Sequence, residues 1–130
     1  MRDSYYEILH SARPEWVAKR YIIDIYFRVS GLEATASLDP ATFLEFKAGV
    51  RQLYRIMRVK MWRFRSKLGI SEEKMKRYDS YLLPKQFRRL KFEEVVEWFN
   101  DIQVALERLG YTRFESSQSI EELVRMSREG

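Results

Sequence analysis

The chain has no cysteine and a single histidine, His10. The first absence excludes disulfide frameworks, Cys-ligated zinc, iron–sulfur clusters and thiol nucleophiles. The second confines any Ser-His-Asp triad to His10 and excludes HExxH zinc and two-His iron sites, which need another imidazole. With 3 prolines and 5 glycines in 130 residues, the chain is neither collagen-like nor of low complexity. Long apolar runs are also missing. The most apolar stretch, Trp16 to Val29, is broken by Lys19, Arg20, Asp24 and Arg28, well short of the roughly 20 apolar residues of a membrane span. Met1 to Ile8 carries Arg2, Asp3 and Glu7 and does not read as a signal peptide. An intracellular location, cytoplasmic or within a nucleoprotein particle, is therefore expected. Asn occurs once and Gln four times, and scarce thermolabile amides beside abundant Arg, Lys and Glu lean towards a thermophile.

What is present is the material of a core. Apolar residues make up 45% and aromatic residues 15%, enough for one domain over residues 1–130 to fold without staples. Ser4 and Glu7 have capping-box spacing for a short first helix before Pro14. Tyr21 to Val29 is rich in strand formers, yet Arg20, Asp24 and Arg28 recur every four residues, which predicts a helix. Gly31 then reads as its left-handed cap, with Leu32 to Leu38 a loop. Asp39 and Pro40 form an N-cap followed by proline at the first helical position, and nothing stops that helix before Gly69. At 1.5 Å per residue it would be about 45 Å long, so it must bend or protrude. Ser71, Glu72 and Glu73 open a short helix carrying Met75, Tyr78 and Leu82, which Pro84 ends. Phe92, Val95, Phe99, Ile102, Leu106 and Leu109 step by 3 and 4 up to Gly110, the cleanest seam in the chain. Ser119 and Glu122 form another capping box, with Tyr111 to Phe114 an extended connection. These patterns predict an all-α, single-domain helical bundle with two long antiparallel helices and shorter flanking helices.

Charge is the most informative feature. Lys47 to Lys91 holds 15 basic and 3 acidic residues, a net +12, against −7 for the rest. At 100° per residue, Phe43, Phe46, Val50, Leu53, Tyr54, Met57, Met61, Phe64 and Leu68 share a core stripe on the long helix. Lys47, Arg51, Arg55, Arg58 and Arg65, with Trp62 among them, form an adjoining basic stripe off that core. Lys60, Arg63 and Lys67 occupy another side. Lys85, Arg88, Arg89 and Lys91 add a second cluster beyond Pro84. A row of guanidinium forks suits a phosphate backbone, and no acid between Lys47 and Gly69 pairs locally with it.

Two functions compete for this charge. One is non-enzymatic, sequence-independent binding of a DNA or RNA backbone by Lys47, Arg51, Arg55, Arg58, Trp62, Arg65, Lys85, Arg88, Arg89 and Lys91, as in a DNA-packaging, coat or architectural subunit. The other is a helical protein-interaction module whose cations pair with an acidic partner or internally, with the acidic stripe Glu93, Glu97 and Asp101. No helix-turn-helix spacing, zinc finger or RNP signature is present, so readout by shape and charge is expected. Trp62 could stack on a base, but with Ile56 and Val59 it reads better as a contact to another helix or subunit. Tyr5, Tyr6, Tyr21 and Tyr26 read as core edge, and His10 as a capping or surface residue. Glu93, Glu94, Glu97 and Asp101 could ligate Mg²⁺ in a nuclease only with carboxylates from a facing helix. No enzyme activity, cofactor or membrane association is expected, and partners are nucleic acid and other subunits through helix faces. In architecture alone, a Cys-free helical chain with a cationic side resembles the DNA-coating subunits of filamentous archaeal viruses, a likeness that implies a packaging role.

Overall fold

A computed structural model describes residues 14–111, which are helical with no strand. The expected helix at Ser4–Glu7, His10, Tyr5, Tyr6, the 112–114 connection and the Ser119–Glu122 capping box lie outside the described residues. The six helices are α1 (Pro14–Ala36), α2 (Pro40–Arg63), α3 (Arg65–Leu68), α4 (Glu72–Ser80), α5 (Pro84–Arg89) and α6 (Phe92–Arg108). The long helices α1 and α2, joined by residues 37–39, pack against each other as an antiparallel pair. On another side α2 packs against α6, and the shorter helices flank it.

The helical reading of Tyr21 to Val29 holds, but α1 does not stop at Gly31, and Leu32 to Ala36 is helix rather than loop. Ile22, Ile25, Val29 and Ala36 are buried and Leu32 packs on them, a 3-4-3-4 seam that runs past the glycine. Continuing the seam outweighs the roughly 1 kcal/mol that glycine costs within a helix. The turn at Ser37 and Leu38 then delivers Asp39 as N-cap of α2. Its Oδ2 accepts from the Thr42 amide at 3.1 Å and the Thr42 hydroxyl at 2.5 Å. These hydrogen bonds, led by the hydroxyl, hold the Asp39 carboxyl below its ordinary pKa.

At Gly49, α2 closely approaches α1. A Cβ there would lie 2.4 Å from Val29 Cγ2, and Val29 is a β-branched residue with no exposure and little freedom to yield. The helix spacing in this region thus depends on the missing side chain.

The single helix expected up to Gly69 is interrupted at Phe64, whose φ of −106° and ψ of 19° end α2. The short α3 follows, closed by Gly69 at φ 72°. The break replaces protrusion with a bend, and beyond it Leu68 and Ile70 are buried, with α3 against α6. Phe64 consequently reaches 36% exposure rather than sitting in the core stripe. Ser71 caps α4 as expected, accepting from the Lys74 amide at 3.1 Å. Pro84 does more than end that segment, since it also opens α5.

The seam of α6 is buried at Val95, Phe99, Ile102 and Leu106, with Phe92 and Leu109 at its margins. Trp98, outside that seam, is nevertheless fully buried, with ring centroids of Tyr54 and Tyr81 5.3 and 5.2 Å away and Tyr78 stacked at 6.2 Å. It extends the apolar face of α6 towards α4. Among the described residues no helix is long and apolar enough to cross a membrane.

Candidate nucleic-acid interface

The basic stripe of α2 divides at its middle. Towards the C-terminus, Arg58 grips Asp79 of α4 with both arms of its fork, Nε to Oδ1 at 2.7 Å and Nη2 to Oδ2 at 2.9 Å. The same carboxylate accepts from the Tyr54 hydroxyl at 2.5 Å and from Trp62 Nε1 at 3.0 Å. Burial alone would raise the Asp79 pKa, but the donors, Arg58 first, outweigh it and hold the carboxyl below its ordinary value. Tyr54 is pushed in the other direction by burial and by this carboxylate. Arg65 folds back, donating to the Trp62 carbonyl at 2.8 Å with its guanidinium 5.6 Å from the Trp62 ring. Arg58, Trp62 and Arg65 are therefore engaged within the molecule.

Towards the N-terminus the geometry is different. Lys47, expected off the core, is 3% exposed. Its ammonium donates to the Phe87 carbonyl at 3.0 Å near the end of α5, and lies 4.8 Å from the Phe87 ring and 5.2 Å from Phe43. Snorkelling explains the correction, because the aliphatic stem packs inward while the charge meets a helix-terminal carbonyl and two ring faces. Desolvation, then the charge of Arg51, lowers the Lys47 pKa. Arg51 is half-buried with its guanidinium 4.0 Å from the Phe87 ring centre. Its pKa is lowered first by desolvation and then by Arg55. Arg55 is exposed.

Phe87 thus anchors α5 to α2, an assignment that sequence spacing did not offer. Lys85, Arg88 and Arg89 of α5 are exposed, and the Phe87 contacts hold the helix that carries this second basic cluster against α2. None of Arg51, Arg55, Lys85, Arg88 and Arg89 has a salt-bridge partner among the described residues. Lys91, also exposed, is the N-cap of α6, and its amide donates to the Glu94 carboxylate at 2.9 Å. Lys60 turns away to the Tyr111 hydroxyl, while Arg63 and Lys67 are exposed on other sides of the α2–α3 segment.

No family model, curated protein or solved structure matches this chain.

The acidic stripe of α6 does not meet the arginines of α2. Glu97 pairs with Arg77, and Asp101 takes Lys74 at 3.0 Å and the Tyr78 hydroxyl, so these carboxylates fasten α4 instead. Glu93 and Glu94 are exposed. Among the described residues no three His, Cys, Asp or Glu side chains gather to hold a metal ion. Tyr26 packs on Phe99 and accepts from Gln103, and Tyr21 accepts from Gln52, so both serve the edges of the core. Asp79 is the functional neighbour that sequence reasoning missed. Its one available signal was that it is the last acid before Glu93 in a basic segment.

Proposed function

We propose that this protein binds the phosphate backbone of nucleic acid, without sequence preference and without catalysis, through Arg51, Arg55, Lys85, Arg88 and Arg89, with Lys91 at the margin. The observation that carries this reading is the docking of Phe87 on Lys47 and Arg51, which joins two helices whose five cations have no salt-bridge partner among the described residues. Like charges crowded this way raise the local potential and oppose one another until an anion arrives. Arginine predominates among them, and its planar fork fits phosphate oxygens in pairs. A packaging, coat or architectural subunit is the role such readout suits, because phosphate contacts fix position and carry no sequence information.

The competing reading, a protein-interaction helix bundle with cations paired internally, is favoured by the Arg58–Asp79 fork for that half of the stripe alone. A salt titration on duplexes of unrelated sequence decides between them. If all five cations meet phosphates, log K should fall with log salt at a slope of about −4.5, from about −0.9 per phosphate. Arg55→Ala with Arg88→Ala should flatten the slope by about 2 and leave the unfolding midpoint in place. Negligible binding at low salt would reject the proposal.

A further inference from the structure

We propose that the phosphates taken by this surface are those of a duplex rather than of a single strand; this rests on the backbone-binding reading above and narrows it. Proteins that hold single strands without sequence preference pair a cationic groove with open aromatic faces on which bases stack. Here the rings beside the cations are already engaged. Phe87 carries the Arg51 guanidinium at 4.0 Å and the Lys47 ammonium at 4.8 Å. Trp62 has Arg65 at 5.6 Å and its Nε1 committed to Asp79. Among the described residues the large aromatic rings that are exposed, Tyr21, Phe27 and Phe64, stand elsewhere. The first two are on α1, and Phe64 is past the end of α2, about 20 Å of helix from Arg51.

The cations themselves stand on two helices, Arg51 and Arg55 one turn apart on α2 and Lys85, Arg88 and Arg89 on α5. The two helices meet where Lys47 and Arg51 contact Phe87, so the donors are not confined to one line. A single strand presents one row of phosphates with its bases alongside, whereas a duplex presents two rows with its bases turned inward. Arg51 lies against Phe87 and so has less side-chain freedom to lose on gripping a rigid backbone. DNA and RNA duplexes share this chemistry of paired ribbons.

The test uses the full chain and three probes of equal phosphate number: a DNA duplex and an RNA duplex of about 20 base pairs and an oligothymidylate of about 40 nucleotides. Anisotropy at low salt should find at least one duplex bound about tenfold or more tightly than the oligothymidylate, and comparing the two duplexes identifies the source. Oligothymidylate should also leave the emission of Trp62, taken as the difference between the protein and its Trp62→Phe variant, unquenched. Oligothymidylate affinity equal to or above both duplexes, or quenching of Trp62 by it, would overturn the duplex inference while leaving backbone binding intact. Failure of all three probes to bind would defeat the parent reading and this inference with it.

Discussion

The two ends of the α2 basic stripe share a composition and differ in fate. Near the C-terminus one aspartate from α4 collects Arg58, Tyr54 and Trp62 into a knot. Near the N-terminus no carboxylate arrives among the described residues, and what docks is an aromatic ring, Phe87, on a helix that carries more cations. The lesson is that a run of arginines is neither surface nor core until the opposing helix is known. A single acid, 21 residues from Arg58, decides which half is spent on folding.

Replacements can break or sharpen this contrast. Phe99→Ala belongs to neither half and sets the scale: Phe99 has no exposure, so a loss of about 3–5 kcal/mol is expected in denaturant unfolding. Asp79→Ala should follow, at about 1–3 kcal/mol, because it takes the acceptor from the Trp62 indole and the Arg58 fork and leaves the Tyr54 hydroxyl only the Met75 carbonyl at 3.5 Å. Arg58→Ala should cost less, about 1 kcal/mol or under, since its side chain is 43% exposed and water and salt screen the pair. Neither knot variant should change the salt slope of nucleic-acid binding. A flattened slope in Arg58→Ala would show that the two ends act as one surface.

Part of the pH dependence of stability should come from the knot, beside Asp39 on the acid side and Tyr78 on the alkaline side. The Asp79 pKa is depressed on folding, so its contribution is complete above the ordinary carboxylate value near 4 and is lost as pH falls through the folded value. The Tyr54 pKa is raised, so its contribution is complete below the ordinary phenol value near 10 and is lost as pH rises towards the folded one. The acid limb of the thermal midpoint should become shallower in a variant that lacks Asp79, the alkaline limb should change less because burial is the first cause of the Tyr54 shift, and both should remain unaltered in a variant that lacks Arg55.

Local signals were legible in the sequence. Asp39 before Pro40 and Ser71 before two glutamates cap helices through contacts within four residues, and the α6 seam needs only its own period. Gly31 was misread because its cap signal is also local, while the seam that overrode it depends on packing against α2. Phe64 carries no breaker chemistry, and the chain turns there to bury Leu68 and Ile70. Pro84 suits both the end of one segment and the first position of the next helix, so α5 went unseen. The docking of α5 on α2 needed Phe87 to be placed against Arg51. Spacing of 36 residues cannot supply that placement.

The close approach of Gly49 to Val29 also bears on the order in which the molecule assembles. These residues are 20 apart in sequence and are joined through a tight turn, whereas the Gln103 to Tyr26 and Lys60 to Tyr111 contacts close loops of 77 and 51 residues. Loop-closure entropy favours the shorter circuit, so the α1–α2 hairpin should be formed in the folding transition state, with α6 and the Asp79 knot completed afterwards. Gly49→Ala should then act chiefly by slowing folding, and Asp79→Ala by hastening unfolding. In that case Gly49 sets how fast the surface is made, and Asp79 how long it lasts.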